Sequence, residues 1–339
     1  MITISLCMIV KNEERILDRC LSCLANLMDE IIIVDTGSTD RTKEIAAKYT
    51  DKIYDFEWIN DFAAARNFAF SKAVGDYIYS ADADEVLDEL NQKRFRILKE
   101  HLIPEIEIVQ MYYCNQLKFG TVYNYDKEYR PKLFKRVRTF TWIDPIHETI
   151  RTEPVVFDSD VEIFHDQEKS HAARDLEAFR RICQEDGALS KRLLDLYARE
   201  LFIAGTKEDF MQAEEFFEQI CKNEETPREM LMEALCVTAK AARVNGDDPK
   251  FYKYAMKAVA LESCAEVCLE LGYYYMEEKD YHEAVVWFYN AAFETESILN
   301  IHCGGDWALL GMAECYRRSG LKEQAKEYEK MAAEWKPEG

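Results

Sequence analysis

Glu30-Ile31-Ile32-Ile33-Val34-Asp35-Thr36-Gly37-Ser38-Thr39-Asp40 is the stretch that decides the fold. Its unbroken run of β-branched apolar residues reads as a strand buried on both faces. The run stops at an acid, and Gly37-Ser38-Thr39 permits a tight turn. Ser38 or Thr39 then caps a helix running to Tyr49. Upstream, residues 2–10 form a short apolar strand, and residues 14–27 place Ile16, Leu17, Cys20, Leu21, Leu24 and Leu27 on one helical stripe. Downstream come a strand at 52–55, a helix at 61–73 and a strand at 76–80 that runs into Asp82-Ala83-Asp84. This alternation predicts a mostly parallel sheet covered by helices. In open sheets of that kind the ligand sits beyond the carboxyl ends of the strands, where Asp35 and Asp82–Asp84 both fall.

From about residue 105 the texture changes to strand-like runs at 106–114, 132–135 and 155–164, and beyond about 168 the chain reads as wholly helical. Two domains are expected, 1–168 and 169–339. In the second, Cys268, Leu271, Gly272, Tyr275, Ala284, Phe288 and Ala291 fall on tetratricopeptide spacing. Leu309, Met312, Ala313, Tyr316, Gly320, Ala325, Ala332 and Pro337 repeat it 41 residues later, the excess over about 34 being a loop at 297–305. Weaker copies cover 194–220, with Ala213 and Phe217, and about 235–261. Small residues at fixed positions let paired helices approach, and aromatics fill the gap between pairs.

Composition narrows the function. The chain has 339 residues, 48% of them apolar, which is enough for real cores in two domains. The formal net charge of −21 disfavours nucleic acid as a partner. It divides as −8 over residues 1–165 and −13 over 166–339. The opening residues carry no basic stretch followed by a long apolar one, so no signal peptide is expected, and no apolar run is long enough to span a membrane. The eleven cysteines sit mostly at apolar positions. Their odd number and lack of zinc-ribbon spacing point to reduced, buried thiols in a cytoplasmic protein.

Asp82-Ala83-Asp84 at a strand end projects two carboxylates into a site on a short connection. Hard oxygen ligands of this kind suit Mg2+ or Mn2+. Asp84 is expected on the metal and Asp82 on ribose or metal; the competing reading is an acidic turn in which Asp84 or Glu85 caps the next helix. Asp35 is placed to accept a hydrogen bond from a base or ribose. Arg66 and Asn67 sit on an otherwise apolar helix, and an Arg in such surroundings needs a partner. That partner is a nucleobase or diphosphate oxygen, or a structural carboxylate.

Taken in order, Ser5-Leu6-Cys7-Met8-Ile9-Val10-Lys11-Asn12-Glu13-Glu14, Ile33 to Asp40, Ala65-Arg66-Asn67, Gly75-Asp76-Tyr77-Ile78 and Asp82-Ala83-Asp84 resemble the family 2 glycosyltransferases. The resemblance is dense over residues 2–90 and thin from there to about 165. It implies a GT-A fold, an α/β arrangement with a Rossmann-like mixed sheet and flanking helices, here followed by an all-α tetratricopeptide-like bundle. It also implies a nucleotide-diphosphate sugar donor (a UDP-sugar by family default), a divalent cation, Mn2+ or Mg2+, and inversion at the anomeric carbon. Carried over by position, Val10, Lys11, Asn12, Asp35 and Arg66 surround the base, and Asp82 and Asp84 hold diphosphate and metal. Thr36 departs from the many members that carry a second Asp there. Trp142-Ile143-Asp144-Pro145-Ile146-His147-Glu148 resembles the His-Glu segment of a branch that includes lipopolysaccharide core glucosyltransferases. Inverting transfer needs a general base, and Glu148 is assigned that role, with His147 and Asp144 as alternates. His165 closes the last strand, where many GT-A enzymes place a metal-binding His. Residues 130–136 are read either as neutralising diphosphate or as an ordinary basic strand.

A family 2 domain followed by helical repeats is similar to enzymes that glycosylate peptides, including S-glycosyltransferases of bacteriocin precursors. The expected activity is metal-dependent transfer of a hexose or N-acetylhexosamine to a peptide or protein side chain, the repeats binding acceptor or forming a homodimer. The rivals are a transferase of surface polysaccharide or lipid-core synthesis and a non-enzymatic scaffold with an inactive transferase domain. A nucleotidyltransferase is disfavoured because Lys11-Asn12-Glu13-Glu14 is not the Gly-rich basic loop it would carry after its first strand.

Overall fold

The computed structural model describes residues 2–114, 127–138, 142–143, 149–150, 154–166 and 172–336. These fall into two compact units, one up to residue 166 and one from residue 172 on.

The first unit runs β1 (Ile4–Val10), α1 (Leu17–Leu24), β2 (Glu30–Asp35), α2 (Thr42–Ala46), β3 (Ile53–Asp55), α3 (Phe62–Phe70), β4 (Tyr77–Ala81), β5 (Glu85–Val86), α4 (Glu89–His101), β6 (Ile108–Cys114), β7 (Glu128–Lys135), β8 (Trp142–Ile143), β9 (Thr149–Ile150) and β10 (Val156–His165). An eight-stranded sheet has the order β3-β2-β1-β4-β7-β6-β10-β5, and β8 pairs with β9 separately. The expected alternation of layers is present. Ile4, Leu6 and Met8 of β1 pack on Leu17, Leu21 and Leu24 of α1. Cys7 joins Ile32, Val34 and Ala69 on the opposite face. Each such fully buried aliphatic side chain contributes about 1.5–3 kcal/mol.

Strand direction places the site. β1, β2, β3 and β4 are mutually parallel. β7 lies antiparallel to both β4 and β6, and β10 is parallel to β6. The two reversals cancel, so β10 runs the same way as β4. Its last residue, His165, therefore arrives at the sheet edge where β1, β2 and β4 end. The mixed sheet with helices on both faces is the GT-A architecture that the resemblance implies.

The helix expected from Ser38 or Thr39 to Tyr49 is instead the short α2, beginning at Thr42 without a side-chain cap. The amides that would have opened it are taken: Gly37 and Ser38 donate to Asp35 Oδ1, and Thr39 donates to Asn12 Oδ1. The loop holds itself open by using those donors. The reading of Asp84 or Glu85 as a cap is also replaced, because Asp88 caps α4 by accepting from the Asn91 amide.

The second unit is helical: α5 (Ala172–Asp186), α6 (Lys191–Ala204), α7 (Lys207–Lys222), α8 (Arg228–Asn245), α9 (Asp248–Glu262), α10 (Ala265–Glu277), α11 (Tyr281–Tyr289), α12 (Asp306–Arg318) and α13 (Lys322–Glu334). The repeats fall on α6/α7, α8/α9, α10/α11 and α12/α13. The loop between the last two pairs holds a π-helical turn, Asn290–Glu294, and a 3-10 turn, Ile301–Gly304. Fully buried Phe288 shows why small residues recur. A Cβ on Gly272 would lie 2.6 Å from its ring and one on Gly311 2.7 Å, so both neighbouring helices reach the ring only as glycine. Among the described residues no helix is long and apolar enough to cross a membrane.

Candidate active site

The first wall of the site comes from the β1 and β2 ends, which are in register at Val10 and Asp35. Asp35 is buried at the end of β2, and its Oδ1 accepts from the Gly37 and Ser38 amides at 3.0 and 2.9 Å. Gly37 adopts φ +99°, a left-handed conformation that a side chain would strain. Asn12, also left-handed at φ 57°, donates its amide to Ser38 Oγ and accepts from the Thr39 amide at 2.8 Å. The two loops are thereby tied together, leaving Lys11 exposed beside them. Asp35 Oδ2 is buried and has no partner among the described residues. Thr36, the departure from the family pattern, spends its hydroxyl on the Val10 carbonyl.

The second wall is α3, begun by Asp61, whose side chain accepts from the Ala64 amide. Ala63, Ala65 and Ala69 are buried and let the helix lie close to the sheet. Arg66 reaches across to the β4 end: Nη1 donates to Ser80 Oγ at 2.9 Å and Nη2 to Asp82 Oδ1 at 2.8 Å. Its guanidinium lies 5.1 Å from the centre of the Trp142 ring. Of the two partners expected for Arg66, the structure supplies a carboxylate, that of Asp82. Asn67 clamps the Trp142 backbone, accepting from its amide at 2.8 Å and donating to its carbonyl at 3.1 Å.

The floor is Asp82-Ala83-Asp84-Glu85. Burial works to raise the Asp82 carboxyl, but Arg66 and then Lys132 outweigh it and hold it well below the usual carboxylate range. The Asp82 side chain remains 42% exposed, so solvent screens part of that effect. Asp84 Oδ2 accepts from His165 Nε2 at 2.8 Å, while Asp84 Oδ1 is buried with no partner among the described residues. The backbone fixes this meeting, since His165 pairs with Glu85 and the Asp166 amide donates to the Asp84 carbonyl. Asp84 and His165 are in direct contact, and Asp82, two residues upstream, is turned to Arg66; carboxylate oxygens and an imidazole nitrogen are donor types that suit Mn2+ or Mg2+. The partnerless Asp84 oxygen fits such an ion.

Beneath the floor lies a pair that residue type alone did not signal. Glu85 is fully buried and its Oε1 accepts from Lys132 Nζ at 2.6 Å. Burial pushes the Glu85 carboxyl up to about 7 even though Lys132 pulls it down. Lys132 is therefore committed to a buried carboxylate rather than standing free on a basic strand. Its burial was foreshadowed only by the Leu133-Phe134 that follow it.

Asp144, His147 and Glu148 lie outside the described residues. Val10, Asn12, Asp35, Arg66, Asp82, Asp84 and His165 all lie at or beside one edge of the sheet.

Residues 5–153 match the family model described as glycosyl transferase family 2. The chain carries a glycosyl transferase family 2 domain. Similar curated proteins include a TPR repeat-containing protein of Synechococcus elongatus, 48% identical over 87 residues, 26% of this chain and 22% of the relative. An uncharacterized glycosyltransferase of Rickettsia typhi is 31% identical over 172 residues, 47% of this chain and 54% of the relative. The SPbeta prophage-derived glycosyltransferase SunS of Bacillus subtilis is 36% identical over 92 residues, 26% of this chain and 22% of the relative. The chain thus spans about half the length of one of these relatives and about a fifth of the other two. Within the family 2 domain, Ser80, Glu85, Lys132 and Trp142 join the site through contacts that span 14 to 75 positions of sequence.

Proposed function

We propose that this protein transfers a hexose or N-acetylhexosamine from a nucleotide-diphosphate sugar, a UDP-sugar by family default, to a peptide or protein side chain with inversion. The observation that carries this reading is the convergence of Asp35, Asp82, Asp84 and His165 on one sheet edge, with Asp35 Oδ2 and Asp84 Oδ1 buried and partnerless. In the proposed complex, Asp35 Oδ2 accepts an N–H of the base beside the loop at Val10, Lys11 and Asn12. Asp82, oriented by Arg66, faces ribose and diphosphate. Asp84, His165 and Asp82 hold the cation, which when bound neutralises charge on the departing diphosphate. Glu148, with His147 or Asp144 as alternates, takes the acceptor proton as the acceptor atom attacks the anomeric carbon from the face opposite the diphosphate. The bond from that carbon to the diphosphate oxygen breaks, and its electron pair leaves with the nucleotide. Asn67 supports this chemistry at a distance by clamping Trp142, which opens the segment carrying those residues.

In the same reading residues 1–168 are the transferase domain and residues 169–339 bind acceptor or form a homodimer, since stacked helical repeats present an extended surface to a chain. The cysteines described as free thiols fit a cytoplasmic setting.

A thermal-shift screen of nucleotide-diphosphate sugars, each with and without Mn2+, tests the proposal. A donor at about 100 times its Kd stabilises the folded state by about 2.7 kcal/mol. A shift that needs both donor and metal in the natural protein, and is lost in Asp84→Asn with the melting point of the free protein preserved, is expected. Equal shifts in both proteins would overturn the metal assignment, and no shift with any donor would overturn the transferase reading.

A further inference from the structure

Away from the sheet edge, the helical unit gathers thiols around a buried anion. Cys236 of α8 and Cys264, which precedes α10, bring their sulfurs to 3.4 Å. Their Sγ atoms and a carboxylate oxygen of Glu266 all lie within 4.8 Å of one another. The side chains of all three are buried, Cys236 and Glu266 completely.

Apolar packing accounts for thiols in a core, but not for a carboxylate among them. Glu266 Oε1 accepts from the amides of Ile298, Leu299 and Asn300 at 3.0, 2.7 and 2.9 Å. Among the described residues Oε2 has only a share of the Ile298 amide, at 3.1 Å. Among the described residues no Lys or Arg forms an ion pair with Glu266. An anion in such a place calls for a cation, and the soft sulfurs beside it select which kind.

The loop that Glu266 holds leads into the turn Ile301–Gly304, where the Cys303 amide donates to the Asn300 carbonyl at 2.9 Å. Cys303 is fully buried and near enough to add to the rise of the Cys236 thiol, which comes first from Cys264 and from burial. Access is short, since a cleft of about 530 Å³ is lined by Met232, Ser263, Cys264 and Ile298.

We propose that Cys236, Cys264 and Glu266 form a binding site for a thiophilic divalent cation of the Zn2+ class. Binding converts the two thiols to thiolates and releases two protons to solvent; no electron is transferred. The ion ties α8, the start of α10 and the 297–305 loop together, giving the longest inter-repeat connection a fixed anchor. This site differs in kind from the carboxylate and imidazole set at Asp84, which offers no sulfur.

The test uses the full chain, reduced and kept anaerobic, titrated with Co2+ as a spectroscopic stand-in for Zn2+. Expected are an intense near-ultraviolet sulfur-to-cobalt band saturating at one ion per chain, displacement by Zn2+, and a raised melting point with Zn2+. The band should persist in Asp84→Asn and in Cys315→Ser, a buried thiol elsewhere in the same unit. Cys236→Ser and Cys264→Ser should each weaken Co2+ binding by at least tenfold. No sulfur band in the natural protein overturns the proposal whether or not the variants fold. A band unchanged in both cysteine variants overturns it too.

Discussion

Replacing Lys132 by Met isolates the buried pair beneath the Asp82–Asp84 turn. Lys132 Nζ lies 2.6 Å from Glu85 Oε1, with side chains 7% and 0% exposed. At an effective dielectric of about 20, unit charges at that separation attract by roughly 6 kcal/mol. Removing one partner of a buried pair costs about 3–5 kcal/mol. The pH dependence of that cost is the diagnostic feature. Glu85 titrates at about 7 in the fold, against about 4.3 when unfolded. Its stabilising contribution is thus complete at low pH, is lost as pH rises through 7, and is constant above. Without Lys132, which pulls it down, the Glu85 carboxyl moves higher still. The natural protein and the variant then hold the same proton below about pH 6 and diverge above 7 by about 1.4 kcal/mol per pH unit. Between pH 7 and 9 that amounts to about 3 kcal/mol, or roughly 6–12 °C of Tm for a unit of this size. Near-ultraviolet circular dichroism melts near pH 6 and near pH 9 read it directly. The double variant Glu85→Gln with Lys132→Met should remove the divergence. A deficit equal at both pH values, or larger in acid, would refute the electrostatic account.

Two further predictions concern the helical unit. Glu233 is nearly buried, its Oε2 has no partner among the described residues, and burial with Asp195 nearby pushes its carboxyl up to about 7. Its contribution is likewise present in acid and lost as pH rises to 7, so Glu233→Gln should match the natural protein at pH 4 and exceed its stability at pH 8 by up to about 3 kcal/mol, checked by denaturant unfolding at both. Gly311→Ala places a Cβ 2.7 Å from the Phe288 ring. Overpacking of about 1–3 kcal/mol should exceed the roughly 1 kcal/mol that Ala adds to a helix, so the melting point should fall; a rise would mean that Phe288 moves freely.

What was legible in the chain was whatever depends on neighbours in sequence. The apolar run at Ile31–Val34, the stripe at Leu17, Leu21 and Leu24, and the repeat of small and aromatic residues around Phe288 each follow from a local period, and each lies where that period places it. The helix after Gly37 misled because capping propensity is local, while its competitors are not. Asn12 lies 27 positions from Thr39 and takes the amide that a helix would have left open.

Residue types and their order alone determined that an acid would end β2 and that acids would follow β4, that the family 2 motifs would follow one another, and that the second half would be helical. Only the tertiary structure decided which of those acids meet which partners. Two antiparallel pairings around β7 turn β10 so that His165 reaches Asp84, 81 positions away, and β7 itself carries Lys132 beneath Glu85. Cys236, Cys264 and Glu266 converge in the same manner between helices. The physical reason is that periodicity reports which face of an element is buried, whereas the choice of partner across that face depends on strand direction, register and the cost of leaving a charge alone in the core.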